Sequence, residues 1–361
     1  MASSNGSCGG AEDLKVYQHR VYAVFYSVIL APGLLGNVLA LWIFQLYVRE
    51  TKRGVLFMMN LAVADLMQVL SLPLRIYYYL NHTWPFGQPL CMLCFYLKYV
   101  NMYASVYFLV CVSVRRCELI MHPLRYRSSR RRGDVCVCAV GWLLVCLGCL
   151  PFPLLRNTSP PRITNDTQPQ SGRNDCIPTS CETGSQDANA CFAELPMQEL
   201  SPAAGWALMV TAELFGFIVP LALVLTSAGL TAGRLREHRG GEEGAGLGAQ
   251  DHGEKKRALR MVLSCAGVFL ICFVPYHITM PLDFLAKAGG LGNCKVREMV
   301  LTWHPVTLCL ASLNSGLDPV MYYFTTDEFR RRFSRPELPE SLSLAPRLSF
   351  TSGSKDVPLT P

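Results

Sequence analysis

Polar and ionisable side chains recur inside stretches of this chain that are otherwise apolar. Asp65 lies in the second stretch, Asn37 lies in the first, and Asn314 and Asp318 lie in the seventh, just before Pro319. An ionisable group at membrane depth costs roughly 2.5–3.5 kcal/mol on insertion scales, so it usually marks a functional site. Two carboxylates in one bundle repel unless a cation, a proton or water lies between them. We therefore predict a polar switch, the alternative being polar residues that packing merely tolerates.

A second set of residues suits the binding of an anion. Arg75, Lys98 and Arg156 lie near the outer ends of the second, third and fourth apolar stretches, and Tyr99 and Tyr103 follow Lys98 at helical spacing. Charge-assisted hydrogen bonds to phosphate and carboxylate are strong, and arginine supplies a bidentate fork. These five residues therefore predict a site for an anionic head group, with an acyl tail among apolar side chains.

Each of these cations also has a simpler interpretation. A long basic side chain near a helix end can extend to the membrane interface. It can also pair internally, and Glu213 and Asp283 are the carboxylates that could serve. Lys287 lies nearer a loop and is interpreted as a solvated charge.

The elements that must position these residues are membrane-spanning helices. Of the 361 residues, 51% are hydrophobic and 16% are charged, against about 25% charged in soluble domains. Runs of about 20 apolar residues can cross a bilayer, and we place seven near residues 21–47, 55–80, 91–120, 135–155, 204–232, 258–286 and 296–324. The third and seventh are the least hydrophobic. The fold class predicted is an all-α membrane protein, a seven-helix bundle with a short amphipathic eighth helix.

The distribution of charge predicts the topology. Basic residues crowd the segments after the first, third, fifth and seventh runs, which places those segments in the cytoplasm and the N-terminus outside. The glycosylation sequons agree, because all of them fall in outside segments: they are at Asn5, Asn81, Asn157 and Asn165. We expect a multi-pass protein of the plasma membrane that carries glycans.

The remaining boundaries follow from composition. Residues 1–20 are a polar outside tail, and residues 21–324 form the transmembrane domain. Its longest outside loop is 156–203, and its third inner loop, a flexible linker, is 234–257. Residues 325–335 form an amphipathic helix on the membrane surface, and residues 336–361 form a Ser/Pro-rich, disordered cytoplasmic tail.

The cysteines divide by compartment. Six of the sixteen lie in or beside outside segments, where disulfides form: Cys8, Cys91, Cys176, Cys181, Cys191 and Cys294. Sequence alone leaves their connectivity open.

Other function classes receive little support. His277 and His304 lack metal-ligand spacing, so we expect no enzyme and no cofactor beyond a possible structural sodium ion. A transporter would show internal repeats and matching broken helices, and none is found. We expect the partners to be the lipid bilayer and signalling proteins, and not nucleic acid.

Short motifs occur span by span in the order found in one receptor family. They are Gly36-Asn37, Leu61 to Asp65, Trp142, Pro220, Cys272 to Tyr276 and Asn314 to Tyr322. Over residues 20–335 the chain resembles a class A, rhodopsin-like G-protein-coupled receptor.

The resemblance implies roles for further residues. It implies a sodium- and water-linked network at Asp65, Asn314 and Asp318, and G-protein contact at Arg116. It implies a disulfide between Cys91 and Cys191, and a second one between Cys8 and Cys294 as in the purinoceptor-like branch. It also assigns activation roles to Asn37, Phe273, Pro275, Pro319 and Tyr322.

The inner end of the third span departs from the family. Arg115 stands where the family has an acid, and Cys117 stands where it has a tyrosine. The ion pair that usually restrains Arg116 is therefore absent, and we expect raised ligand-independent activity.

The stretch from Leu80 to Arg116 resembles, more narrowly, the lysophosphatidylserine receptors of the purinoceptor-like cluster. This implies lysophosphatidylserine as ligand, coupling to stimulatory and Rho-linked G proteins, and arrestin as a partner. The alternatives are another lysophospholipid or a nucleotide. Nucleotide receptors of the cluster usually carry a basic residue three positions after the equivalent of His277, and here that residue is Met280.

Overall fold

The computed structural model of the protein describes residues 11–49, 55–123, 131–155, 191–192, 201–239, 249–287, 290 and 293–325. Long helices make up almost all of these residues. In chain order they are α1 (Ala11–Arg49), α2 (Val55–Asn81), α3 (Gln88–Met121), α4 (Arg131–Cys149, followed by a short turn at Pro151–Leu154), α5 (Pro202–Glu213, Leu214–Ile218 and Val219–Arg239), α6 (Ala249–Val268, Phe269–Phe273 and Val274–Lys287) and α7 (Cys294–Thr325). The predicted seven-helix bundle is confirmed.

Three helix ends lie beyond the predicted spans. Helix α1 begins at Ala11, so the second half of the predicted tail 1–20 is helical. Its first turn carries Glu12 and Asp13, whose charge favours a helix N-terminus. The predicted inner loop 234–257 is also shorter, because α5 continues to Arg239 and α6 starts at Ala249.

The hydropathy of the helices follows the expected order. Among the described helices, α1, α2, α4, α5 and α6 are long and apolar enough to span a membrane on composition alone. Helices α3 and α7 fall below that level, as predicted. Both direct polar side chains inward, such as Asn101 in α3 and Asn314 in α7, which are 1% and 0% exposed.

Helices α1, α2 and α7 pack closely at one side of the bundle. The closest approach is at Gly36, where an added Cβ would lie 2.7 Å from Cβ of Pro319. Glycine is required there because α7 occupies the space of a side chain. The motif residue Gly36 therefore packs directly against Pro319, the residue that interrupts the hydrogen bonding of α7.

Helices α5 and α6 each contain one π-helical turn. The turn in α5 covers Leu214–Ile218 and precedes Pro220, and the turn in α6 covers Phe269–Phe273 and precedes Pro275. Such turns bend a helix and often lie at functional sites. Phe273 is fully buried in the α6 turn, so the predicted bending point at Pro275 is also a site of irregular backbone.

One predicted disulfide is present. Cys91, at the start of α3, is bonded to Cys191, and their Cα atoms are 5.9 Å apart. Cys294 is exposed in the first turn of α7, but Cys8 lies outside the described residues, so this second pairing stays a prediction. Cys176 and Cys181 also lie outside them.

Of the four predicted glycosylation sequons, one lies within the described residues. Asn81 is exposed at the end of α2, where its amide donates to the carbonyl of Tyr77 at 2.9 Å. The sequons at Asn5, Asn157 and Asn165, residues 326–335 of the predicted amphipathic helix and the tail 336–361 are not among the residues described. Glycosylation remains a prediction at all four sequons.

Candidate functional site

A cavity of about 590 Å³ opens at the outer end of the bundle. We call it the outer cavity. Residues from α1, α2, α3, α5, α6 and α7 line it, together with the turn after α4 and the segment that carries Cys191. Most of its lining is aromatic or aliphatic, which is typical of a ligand site with a few fixed polar groups. The charged and imidazole side chains in the wall are Lys15, His19, Arg75, Lys98, Asp283, Lys287 and His304.

Arg75 lies almost completely buried in this wall, with 1% of its surface exposed. Its Nε donates to Oγ of Ser71 at 3.3 Å, and its Nη2 donates to the carbonyl of Cys94. The guanidinium carbon lies 4.7 Å from the ring centroid of Phe192, which gives a cation–π contact. The disulfide to Cys91 places Phe192 there, next to Cys191. These contacts orient the guanidinium from several sides.

Lys98 also lies against aromatic rings. It is 8% exposed, and its Nζ is 5.6 Å from the ring centroid of Tyr22 and 5.9 Å from that of Tyr99. Aromatic faces stabilise an ammonium group without neutralising its charge. The outer cavity therefore carries positive charge from both α2 and α3.

The two predicted tyrosines occupy different levels. Tyr99 lines the outer cavity and stacks on Phe152, with ring centroids 4.2 Å apart. Tyr103 lies one turn deeper, outside the cavity wall, where its ring contacts Phe152 and His277. Its buried hydroxyl has no hydrogen-bond partner within the described residues. Arg156 lies outside those residues, so its place in the cavity is a prediction.

The carboxylates proposed as internal partners have other neighbours. His277 Nδ1 lies 3.2 Å from Oε1 of Glu213, which joins α6 to α5. Lys287 Nζ lies 2.7 Å from Oδ2 of Asp283, and His304 Nε2 lies 3.9 Å from the same oxygen. The prediction that Lys287 is solvated fits its side chain, which is 59% exposed. Each carboxylate thus has a partner on α6 or α7.

The sequence interpretation missed the part of the site that α1 contributes. Lys15, His19 and Tyr22 line the outer cavity, and all three fall within or beside the segment that was predicted to be a tail. They are spaced at i, i+4 and i+7, the period of one helix face. That spacing was the signal that α1 begins before residue 21.

A second polar cluster lies deeper in the bundle. We call it the mid-membrane network, and it consists of Asp65, Asn101, Ser105, Asn314 and Asp318, each 0% or 1% exposed. Oδ1 of Asp65 accepts from Asn101 Nδ2 at 3.0 Å and from Asn314 Nδ2 at 3.5 Å. Ser105 Oγ donates to the same oxygen at 3.5 Å. The network therefore joins α2, α3 and α7 through one carboxylate oxygen.

Many acceptors of this network lack donors. Oδ2 of Asp65, both carboxylate oxygens of Asp318 and Oδ1 of Asn101 and of Asn314 have no hydrogen-bond partner within the described residues. Buried acceptors without donors are costly. Carboxylate and amide oxygens are ligands that suit a hard cation. The described residues contain no group of three or more His, Cys, Asp or Glu that could hold a metal, so amide or hydroxyl oxygens would have to complete the coordination.

Neighbouring contacts tie this network to α1 and to the inner end of α7. Asn37 Nδ2 donates to the carbonyl of Ser315 at 2.7 Å. Tyr322, four residues after Asp318, donates its hydroxyl to the carbonyl of Met58 at 3.4 Å. The predicted activation residues on α1, α2 and α7 thus form one connected region.

The inner end of α3 holds an ion-pair cluster around Arg115. Its Nη1 lies 2.6 Å from Oε2 of Glu118, and its Nη2 pairs with Asp134 in the first turn of α4. Among the described residues, no ion pair includes Arg116, which is partly buried. The arginine that replaces the usual acid therefore joins α3 to α4.

A family model and several known receptors resemble this chain over most of its length. The family model for the 7 transmembrane receptor (rhodopsin family) matches residues 36–322. Probable G-protein coupled receptor 174 of Mus musculus is 50% identical over 95% of this chain and 93% of its own length. A putative purinoceptor of Homo sapiens is 41% identical over 88% of this chain and 85% of its own. Lysophosphatidic acid receptor 6 of Homo sapiens is 30% identical over 86% of this chain and 82% of its own.

Proposed function

Because this chain belongs to the rhodopsin family of seven-transmembrane receptors and to its purinoceptor-like cluster, we propose that it is a receptor for an anionic lysophospholipid, most specifically lysophosphatidylserine. Family membership makes it a multi-pass plasma-membrane receptor with a ligand and a heterotrimeric G protein as partners, and not an enzyme. The observation that carries the ligand proposal is the pair Arg75 and Lys98 in the wall of the outer cavity.

The cavity offers complementary surroundings for both ends of such a lipid. Arg75 and Lys98 supply positive charge for phosphate and carboxylate oxygens. The acyl chain fits the apolar lining near Trp206 and Met209 of α5 and Phe284 of α6. Trp206 is 43% exposed on the outside of the bundle, so an acyl chain passing between α5 and α6 would reach the bilayer.

The relatives support this class of ligand. Two of the proteins that this chain resembles are named as lysophosphatidic acid receptors. The name of a third, the putative purinoceptor, makes a nucleotide the second candidate. The α6 sequence favours the lipid, since His277 is paired with Glu213 and Met280 offers no positive charge in the outer cavity.

Ligand binding at the outer cavity would bias the bundle between two arrangements. A sodium ion between Asp65 and Asp318 would stabilise one arrangement by balancing their charges. Bending at Pro275 and Pro319 would open the inner face beside Arg116 to a G protein of the stimulatory or Rho-linked class. The N-terminus is outside in this proposal, and the serine-rich tail would bind arrestin.

The inner end of α3 adds a proposal about basal activity. In this chain the residue before Arg116 is Arg115, which pairs with Asp134 and Glu118. Position 115 therefore supplies no acid that could restrain Arg116. We expect the receptor to signal above the background of cells that carry an empty vector. A signal equal to that background would contradict this part of the proposal.

A G-protein dissociation assay on cells that express the chain tests the proposed ligand. The ligands are lysophosphatidylserine, lysophosphatidic acid and a nucleotide panel, and wild type is run beside Arg75→Ala and Arg156→Ala. A response to the serine lipid that both substitutions remove supports the receptor, the head group and the site together. A response to nucleotides alone, or silence at verified surface expression, contradicts the lipid proposal.

A further inference from the structure

The outer cavity contains one negatively charged group among its described lining residues, the carboxylate of Asp283 in α6. Its side chain is 13% exposed, so it lies mostly inside the protein. A site built only for an anion would gain nothing from this charge, because an acid repels phosphate. The carboxylate therefore indicates that the ligand has a positive group as well.

The present partner of Asp283 can be replaced easily. Lys287 lies one helical turn further along α6, and its side chain is 59% exposed. Ion pairs with so exposed a lysine are weak because water competes for both charges. A ligand ammonium that enters the cavity can take the place of Nζ of Lys287, and Lys287 then turns to solvent. The number of charges near Asp283 stays the same in this exchange.

Positively and negatively charged side chains line the same cavity. His304 in α7 lines the outer cavity together with Asp283, Lys287 and Lys98 of α3. Its Nε2 is 3.9 Å from Oδ2 of Asp283, and both residues line the outer cavity. A head group held at Lys98 therefore lies within electrostatic range of the α6 carboxylate. An ammonium group attached to the same head group can reach it.

We propose that Asp283 binds the ammonium group of a zwitterionic lysophospholipid head group, while Arg75 and Lys98 bind its phosphate and carboxylate. This inference rests on the proposed function and deepens it. It makes Asp283 the residue that distinguishes amino-containing lysophospholipids from those without an amine, such as lysophosphatidic acid. Both kinds of lipid contain the phosphate and the acyl chain, so the serine carboxylate and ammonium distinguish them, and Asp283 would recognise the ammonium.

The test compares three lipids with one acyl chain in the G-protein dissociation assay. They are lysophosphatidylserine, its deamino analogue, which lacks only the ammonium group, and lysophosphatidic acid. Wild type should respond to the serine lipid at about 10- to 100-fold lower concentration than to the deamino analogue, as expected for a hydrogen-bonded charge. Asp283→Asn should remove this preference and leave the response to the deamino analogue within about threefold of wild type.

Two further variants serve as controls. Asp283→Glu keeps the charge and should keep the preference. Lys287→Gln removes the competing ammonium, so the serine lipid should act at an equal or lower concentration than on wild type. If Asp283→Asn does not reach the cell surface, Asp283→Ser supplies a second neutral variant at the same position.

The outcomes separate the inference from the proposed function. If wild type at the cell surface responds to none of the three lipids, the proposed function fails and the inference fails with it. If wild type responds equally to the serine lipid and its deamino analogue, only the inference is overturned. The inference alone is also overturned if the neutral variants weaken the responses to the serine lipid and to its deamino analogue equally. Asp283 would then act on the shape of the site and not on the ammonium group.

Discussion

The outer cavity and the mid-membrane network handle buried charge in opposite ways. In the outer cavity, Arg75 and Lys98 lie on aromatic faces, and Arg75 also donates to a backbone carbonyl. These contacts orient the two cations without neutralising their charge. In the mid-membrane network, Asp318 has no donor for either oxygen within the described residues. The first region is suited to an anion from outside, and the second to a small cation or water.

This difference indicates that ligand binds in the outer cavity and that switching involves the mid-membrane network. The outer cavity is open, about 590 Å³ in volume, and lined by six helices, so it can admit a lipid head group. The mid-membrane network is fully buried and joins α2, α3 and α7. A cation or water bound there would therefore affect how these three helices pack.

Loss of the Cys91–Cys191 disulfide should have the largest effect, and the effect should be on the outer region. The bond closes a separation of 100 residues and holds Phe192 on Arg75. Cys91→Ser should lower the free energy of unfolding by about 2–5 kcal/mol, measured by thermal unfolding in detergent. Cys94→Ser, one turn along the same helix, is the matched control and should cost much less. Equal losses in the two variants would contradict this assignment.

Gly36→Ala should disturb the mid-membrane region with little change in the outer cavity. The new Cβ would lie 2.7 Å from Cβ of Pro319, and overpacking of this kind costs about 1–3 kcal/mol. Thermal unfolding and basal signalling are the measurements. Gly316→Ala is the matched control, since a Cβ there meets nothing within 4 Å in the described structure. A Gly36→Ala protein as stable as the Gly316→Ala protein would show that α1 and α7 do not pack this closely.

Asp65→Asn should uncouple the receptor from sodium. A sodium ion would stabilise the arrangement in which Asp65 and Asp318 lie close together, so replacing sodium chloride with N-methylglucamine chloride should raise agonist affinity by about fivefold. Asparagine at position 65 should abolish this dependence while agonist still binds. The measurement is agonist affinity in both salts. A dependence that persists in the variant would place the ion elsewhere.

A charge swap at the inner end tests the cause of the expected basal activity. In Arg115→Asp/Asp134→Arg the α3–α4 ion pair is kept with reversed charges, and an acid returns beside Arg116. Basal G-protein signalling should fall, because the acid can then pair with Arg116. Asp134→Asn alone is the control and should leave basal signalling near the wild-type level. Unchanged basal signalling in the swap would show that the missing acid is not its cause.

Local features of the sequence account for much of the fold. The apolar runs place all seven helices, and the inward polar residues explain why α3 and α7 are the least hydrophobic. The pair Asp283 and Lys287 is separated by one helical turn, so it too could have been predicted from spacing. The beginning of α1 at Ala11 was missed because residues 11–20 are polar. Their helix is stabilised by the cavity face of His19 and Tyr22, which composition does not reveal.

Contacts between distant segments were beyond the sequence. The burial of Arg75 beneath Phe192 depends on a disulfide whose partners are 100 residues apart. The pairing of Glu213 with His277 joins residues that are 64 positions apart and lie on different helices. Tyr103 was grouped with Tyr99 on spacing alone, but the one-turn difference places it below the cavity wall. In each case the position in space follows from helix packing.

Saturation binding of labelled lysophosphatidylserine to wild type, Arg75→Ala and Asp65→Asn, with G-protein dissociation measured on the same cells, tests whether ligand binding and switching lie in separate regions. We predict that Arg75→Ala loses binding by about tenfold or more and that Asp65→Asn retains binding while its agonist-induced signal falls. Intact binding in Arg75→Ala, together with lost binding in Asp65→Asn, would contradict the division between an outer ligand site and a deeper switch.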